Sequence, residues 1–153
     1  MITVLPYSIF RSTPDVLFAD ITVIESNFRD LVQHGPGAVS PPDVDGLHSF
    51  YYHSNQDDYL LVSQGSREFT LINYSWKNPV ERITITTESG ILWIPRYTFH
   101  RTVSGPEGST VFNQGVRDPG ISVVSQFEPV LMTELEPAIL SIYKREYYNN
   151  ERL

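Results

Sequence analysis

From residue 48 to residue 126, short runs of β-branched and aromatic residues alternate with turn-forming clusters, and this rhythm limits the fold more than any other feature. Residues 48–53, 59–62, 69–73, 83–87, 91–94, 98–103, 110–114 and 121–126 read as strands, with an earlier one over 16–24. Successive side chains on a strand point to opposite faces, so an alternating run can lay one face on a core and leave the other in water. Between the runs stand Ser54-Asn55-Gln56-Asp57, Gln64-Gly65-Ser66, Lys77-Asn78-Pro79, Glu88-Ser89-Gly90, Ser104-Gly105-Pro106 and Asp118-Pro119-Gly120. Such residues reverse a chain through positive φ, a fixed φ or side chain-to-backbone bonds. Many short strands at this spacing predict an all-β sandwich or barrel.

Three segments fall outside the rhythm. Residues 1–13 read as an extended arm, and 34–45 as a loop held open by Gly35, Pro36, Gly37, Pro41 and Pro42. Residues 134–150 read as a helix: Glu134 and Glu136 sit early, and Ile139, Ile142, Tyr143 and Tyr147 recur at helical spacing. The helix is expected to pack on the barrel as a flap. The 153 residues suit one domain with a sizeable core. Within it, 1–45 supplies the arm and first strands, 46–127 the barrel core and 134–150 the helix.

Composition removes several functions. Eleven Lys and Arg against eighteen Asp and Glu leave a net charge of −7, which argues against a basic face for nucleic acid. With no cysteine there is no disulfide, thiol nucleophile or Cys-ligated metal, and a cytoplasmic location is expected. The first residues lack a basic leader region, and no apolar run approaches the roughly 20 residues a membrane helix needs.

Three of the four histidines lie in two stretches. One runs Gly46-Leu47-His48-Ser49-Phe50-Tyr51-Tyr52-His53 to Asp58 and Gly65; the other is Pro95-Arg96-Tyr97-Thr98-Phe99-His100. These stretches resemble the cupin superfamily. A common first cupin motif has two histidines two apart, then Glu, then Gly seven residues later; Tyr51, His53, Asp58 and Gly65 stand at those places. The second motif, Pro-x-Gly-x-x-His, is met by Pro95 and His100, with Tyr97 at the glycine. The likeness covers about residues 46–116. It implies an antiparallel double-stranded β-helix, a cupin or jelly-roll barrel, with the C-terminal helix closing it. It also implies that His53, Asp58 and His100 meet from two hairpins. Two imidazoles and a carboxylate form a facial triad for a divalent metal (Fe, Mn, Ni or Zn), with positions left open for substrate. Tyr51 shares a face with His53 and would be a weak further ligand or a hydrogen-bond donor.

A second likeness is narrower. Gly46-Leu47-His48 is similar to the Gly-Leu-His motif of dTDP-sugar 3,5-epimerases, which implies His48 as general base and His100 as a second catalytic histidine, without metal. The family's lysine ten residues further on is Asp58 here, and residues 111–114 carry no tyrosine to match its catalytic phenol. Histidine titrates near neutrality, which suits proton abstraction beside a carbonyl, with Asp45 or Asp58 as partner. A third reading is a ligand-binding or sensing barrel without catalysis.

Parity sets these readings against each other. His48 and His53 are five residues apart, so on a regular strand they face opposite sides unless a bulge intervenes. Tyr51, Arg96, Arg101 and Asn113 are the candidate ligand contacts for a small molecule in the barrel, since arginine grips phosphate or carboxylate with a two-pronged fork. Arg67, Arg82 and Arg117, on neighbouring strands or turns, are further candidates for such a grip, set against the commoner outcome for all five arginines of solvation or pairing with the abundant Asp and Glu. Phe50 and Tyr52 share the face opposite His53. Covering that face by a second copy predicts a homodimer, with residues 1–13 as an exchanged strand; covering it by 134–150 would remove the reason.

Overall fold

The computed structural model describes residues 1–149. In chain order its strands are β1 (Thr3–Leu5), β2 (Ser8–Ser12), β3 (Leu17–Asp20), β4 (Asp30–His34), β5 (Val39–Ser40), β6 (Ser49–Tyr52), β7 (Gln56–Ile72), β8 (Val80–Thr86), β9 (Ile91–Ile94), β10 (Phe99–Asn113), β11 (Val116–Arg117) and β12 (Val130–Leu131). One helix, α1 (Pro137–Tyr143), continues as a wider turn over Lys144–Tyr148. Every strand pairing is antiparallel.

Two long strands organise the barrel. The runs 59–62 and 69–73 are halves of the single strand β7, and 98–103 and 110–114 are halves of β10. Gly65 and Gly108 both take positive φ (72° and 81°), and a side chain on Gly65 would strike the Gly108 carbonyl. Two glycines therefore let two paired strands bend together instead of reversing, and the register slips between Ser104 and Ser109 as they do. Beyond the bend each half joins a different layer. Residues 56–62 pair with β9 and the end of β10, which pairs with β4. Residues 66–72 pair with β8 and the start of β10, which pairs with β5 and β6. The layers face each other across Val62, Phe69, Leu71, Ile85, Leu92, Ile94 and Val111. This is the expected antiparallel double-stranded β-helix with a C-terminal helix.

A second core lies outside the barrel. Phe50, Ile72 and Val80 present their outward faces to Met132, Leu135, Ile139, Tyr143 and Tyr148. The chain's own C-terminal segment thus covers Phe50, and the argument for a homodimer from that face is withdrawn. The helix starts later than expected, at Pro137, after a single tight turn over Met132–Glu134. Its apolar spacing is as read: Ile139 and Tyr143 are buried. Residue 150 of the expected helix lies outside the described residues.

Other expectations are corrected. Residues 121–126 are not a strand: Val124–Phe127 forms a tight turn, while β12 takes the free edge of β6. Residues 1–13 are not a free arm, because β1 pairs with the same chain's β9 and β2 pairs with β3 as a hairpin. Within 16–24 only Leu17–Asp20 pairs. A strand outside the expected set, β4, alternates in the same way: Leu31 and Gln33 are exposed while Val32 and His34 turn inward.

Candidate functional site

A cavity of about 480 Å³ lies between the layers. His53 follows β6, Asp58 is the third residue of β7, and His100 is the second of β10, opposite Tyr51 and Leu71. All three are more than nine-tenths buried and line the cavity. Asp58 Oδ2 stands 3.5 Å from His53 Nε2 and 4.0 Å from His100 Nε2. The two imidazole rings lie 4.9 Å apart.

The carboxylate is held on its other side. Asp58 Oδ1 accepts from Gln56 Nε2 at 2.6 Å and from Asn113 Nδ2 at 2.7 Å. Gln56 Oε1 in turn accepts from Arg117 Nε at 2.7 Å, and Asn113 Oδ1 accepts from the Tyr59 amide at 3.0 Å. With both amides oriented by these outer bonds, Asp58 turns Oδ2 toward the histidines. His100 Nδ1 lies 3.3 Å from the Thr98 carbonyl. A carbonyl only accepts, so this contact assigns the proton to Nδ1 and leaves the Nε2 lone pair facing the cavity.

Burial keeps both rings uncharged. It is the main cause pushing His53 down to about 4; neighbouring His100 and Arg117 push the same way, against Asp58. His100 is also lowered, by burial first, with Asp58 and the Thr98 carbonyl opposing. Neutral imidazole is the form that takes a proton or binds a metal. The sign for stability follows. Below pH 6.5 the unfolded chain binds a proton that folded His53 refuses, so stability falls from about pH 6.5 to about pH 4. A loss on the order of 2 kcal/mol is expected across that window. It is measured by urea unfolding at several pH values, and His53→Gln should flatten the slope. Equal slopes in the two proteins would exclude His53 as the source.

The remaining sequence candidates divide. Tyr51 lines the cavity, its ring 6.0 Å from that of His100, and so does Asn113. His48 does not. Its Nδ1 lies 2.5 Å from the Tyr143 hydroxyl and its ring packs edge-on against Tyr148, on the helix side. This is the parity conflict resolved in favour of His53. Arg96 is paired with Asp57 at 3.1 Å and Asp118 at 3.2 Å, away from the cavity. Arg101 points opposite to His100, to Asp43 at 2.8 Å and the Pro41 carbonyl at 3.0 Å. Sequence reasoning missed Gln56, Arg29, His34 and Arg67 as cavity residues. Two of them carried a signal, since Gln56 shares the strand parity of Asp58 and Arg67 that of Phe69.

No family model and no curated protein matches this sequence. Solved structures do match in shape. An RmlC epimerase from Mycobacterium tuberculosis superposes with a TM-score of 0.61 at 10% identity, over 89% of this chain and 70% of that one. A 3,4-ketoisomerase from Helicobacter canadensis gives 0.59 at 10% identity, over 84% and 89%. The QdtA 3,4-ketoisomerase from Thermoanaerobacterium thermosaccharolyticum, a double mutant in complex with TDP, gives 0.59 at 10% identity, over 95% and 96%. At such identities the likeness is one of fold: this chain carries the cupin-type barrel that these epimerase and ketoisomerase structures share.

Proposed function

We propose that the barrel is a metal-free acid–base site that epimerises or isomerises a keto-sugar nucleotide. The observation that carries this reading is a pair of buried, neutral imidazoles on one oriented carboxylate, inside a ligand-sized cavity. His53 Nε2 would take the proton from the carbon beside the ketone. The C–H bonding pair then moves into the ring carbon–carbonyl bond and the carbonyl pair onto oxygen, giving an enolate. Asp58, 3.5 Å away, stabilises the imidazolium as it forms. His100 presents a bare Nε2 to the cavity and has no proton to give, so in an epimerisation the Tyr51 hydroxyl would protonate the opposite face of the same carbon and recover its proton from the His53 imidazolium through solvent. In a ketone shift His100 Nε2 would relay the neighbouring hydroxyl proton to the former carbonyl oxygen while the His53 imidazolium returns its proton to the former carbonyl carbon. Tyr51 reaches the site from β6 and would supply a phenol that the 111–114 strand lacks. His48 takes no part.

The test is incubation with a TDP-linked 4-keto-6-deoxy sugar in deuterium oxide. Solvent deuterium should enter the sugar beside the ketone. No uptake at stoichiometric protein would overturn the reading, and ligand-dependent stabilisation without exchange would favour a binding or sensing barrel.

A second reading has one observation in its favour. The ligand atoms of His53, Asp58 and His100 lie within 4.8 Å of one another. Metal–nitrogen bonds of about 2.0–2.1 Å would draw them closer, a change that side-chain rotation can supply. The residues therefore fit a divalent ion, which would act as a Lewis acid on a carbonyl oxygen. Elemental analysis of protein purified without a nickel column decides between them. Less than roughly a tenth of an equivalent, with no uptake on titration, excludes the metal.

We propose that the protein is a homodimer joined through its N-terminal hairpin. The β2–β3 hairpin exposes Phe10 and Phe18, each more than half accessible, with their rings 5.3 Å apart, and an exposed aromatic pair of this kind favours a partner. Sedimentation that gives a monomer at micromolar concentration would exclude it.

A further inference from the structure

One buried cation in the cavity has no counterion among the described residues. Arg67, on β7, is 3% exposed and lines the cavity beside the bend. Its Nε donates to Ser109 Oγ at 2.9 Å, and its Nη2 reaches the Val32 carbonyl at 3.4 Å and the Ser109 carbonyl at 3.3 Å. These bonds fix the plane of the guanidinium and leave Nη1 without an acceptor among the described residues. No carboxylate among them pairs with Arg67. The contrast with Arg101 is direct, since that equally buried side chain has Asp43 at 2.8 Å. The expectation that Arg67 is solvated or ion-paired is therefore corrected.

A guanidinium taken out of water with neither full hydrogen bonding nor a counter-charge is strongly disfavoured. Burial alone lowers its pKa, to about 10, so it remains charged at neutral pH. The surroundings suit an anion. His34 stands opposite Ser109 in the β4–β10 register, and its Nδ1 is buried without a partner. Burial and Arg67 both keep that ring neutral, so it can donate one N–H. The other titratable groups of the cavity are Arg29, Asp30, Tyr51, His53, Asp58 and His100. Asp58 is held by Asn113, four residues along β10 from Ser109, a strand rise of about 13 Å.

We propose that Arg67 is the oxyanion-binding group of the cavity. The natural ligand is then a small molecule that sets a carboxylate or phosphoryl group on Arg67, with the rest of the molecule lying toward His53, Asp58 and His100. The inference rests on the cavity being a ligand site, but not on the reaction proposed for it. Planar guanidinium matches either oxyanion through two parallel N–H bonds.

The experiment is a titration of nitrogen-15-labelled protein, following the side-chain Nε–H signal of Arg67. Inorganic phosphate and acetate are added at constant ionic strength, with chloride as the screening control. Phosphate or acetate should shift the signal saturably while chloride does not, and the tighter of the two identifies the group. Arg67→Lys, which keeps the charge and loses the fork, should weaken that binding at least tenfold. The proposal is overturned if the Arg67 signal stays still with both anions, if chloride moves it equally, or if a folded Arg67→Lys protein binds as tightly as wild type. Should the variant fail to fold, the wild-type signal alone decides. No turnover is involved, so exchange of deuterium into a keto-sugar can fail while this result stands, and the reverse.

Discussion

His53→Gln is expected to slow deuterium uptake into the keto-sugar by about 10²- to 10⁴-fold, the range for loss of a positioned general base. Glutamine keeps a polar side chain of similar reach, so Asp58 and its amide donors Gln56 and Asn113 should stay in place. What is lost is a neutral nitrogen that can accept and return a proton. His100→Gln should cost a comparable factor. The double variant should lose much less than the product of the two, because residues acting as one unit are not additive. His48→Gln is the decisive control. That ring bonds Tyr143 on the far side of β6, so its variant should keep exchange within about threefold of wild type once stability is matched. If a folded His48→Gln protein loses exchange as fully as His53→Gln, the assignment of the base is wrong.

The second large effect is on stability. Tyr143→Ala is expected to cost about 3–5 kcal/mol, as truncation of a fully buried aromatic does. Tyr143 is 0% exposed. Its ring packs edge-on against Phe50 at 5.3 Å between centroids, and its hydroxyl meets His48 Nδ1 at 2.5 Å. Truncation opens a hole between β6 and the C-terminal segment and strands a buried imidazole nitrogen from this bond. Tyr143→Phe retains the packing and removes only the hydroxyl, so about 1–3 kcal/mol is expected. Urea unfolding measures both. A loss below about 1 kcal/mol in Tyr143→Ala would mean that the C-terminal segment does not share the cooperative core. Because Tyr143 is absent from the cavity lining, folded Tyr143→Phe should retain exchange.

These two expectations involve histidines five residues apart, and they show how far sequence reasoning reached. Alternation identified the strand carrying Phe50, Tyr51 and Tyr52, and parity required His48 and His53 to part company. Alternation has no sign, however. Both faces of β6 meet hydrophobic or aromatic neighbours, Phe50 under the helix and Tyr51 against His100. Nothing local to the strand says which face is inside the barrel. Arg101 alternates with His100, so an inward His100 already puts Arg101 outside, where it meets Asp43. The cluster at Gly65 reads as a reversal, because a positive φ serves a hairpin turn and a shared bend equally well. Only the partner strand distinguishes them.

The sequence by itself determined the antiparallel barrel, the C-terminal helix that packs on it, and a set of histidines and carboxylates from which a site could be drawn. Those features depend on period and turn chemistry, which act over a few residues. The tertiary structure decided that His53, Asp58 and His100 converge while His48 is turned to the helix, and that Phe50 is covered by the chain's own end. It also decided that Arg67 is buried with no carboxylate beside it among the described residues. Whether a charge is paired depends on where every opposite charge in the chain has gone, and residues such as Arg67 and Ser109, 42 apart, become neighbours only when the two long strands bend together.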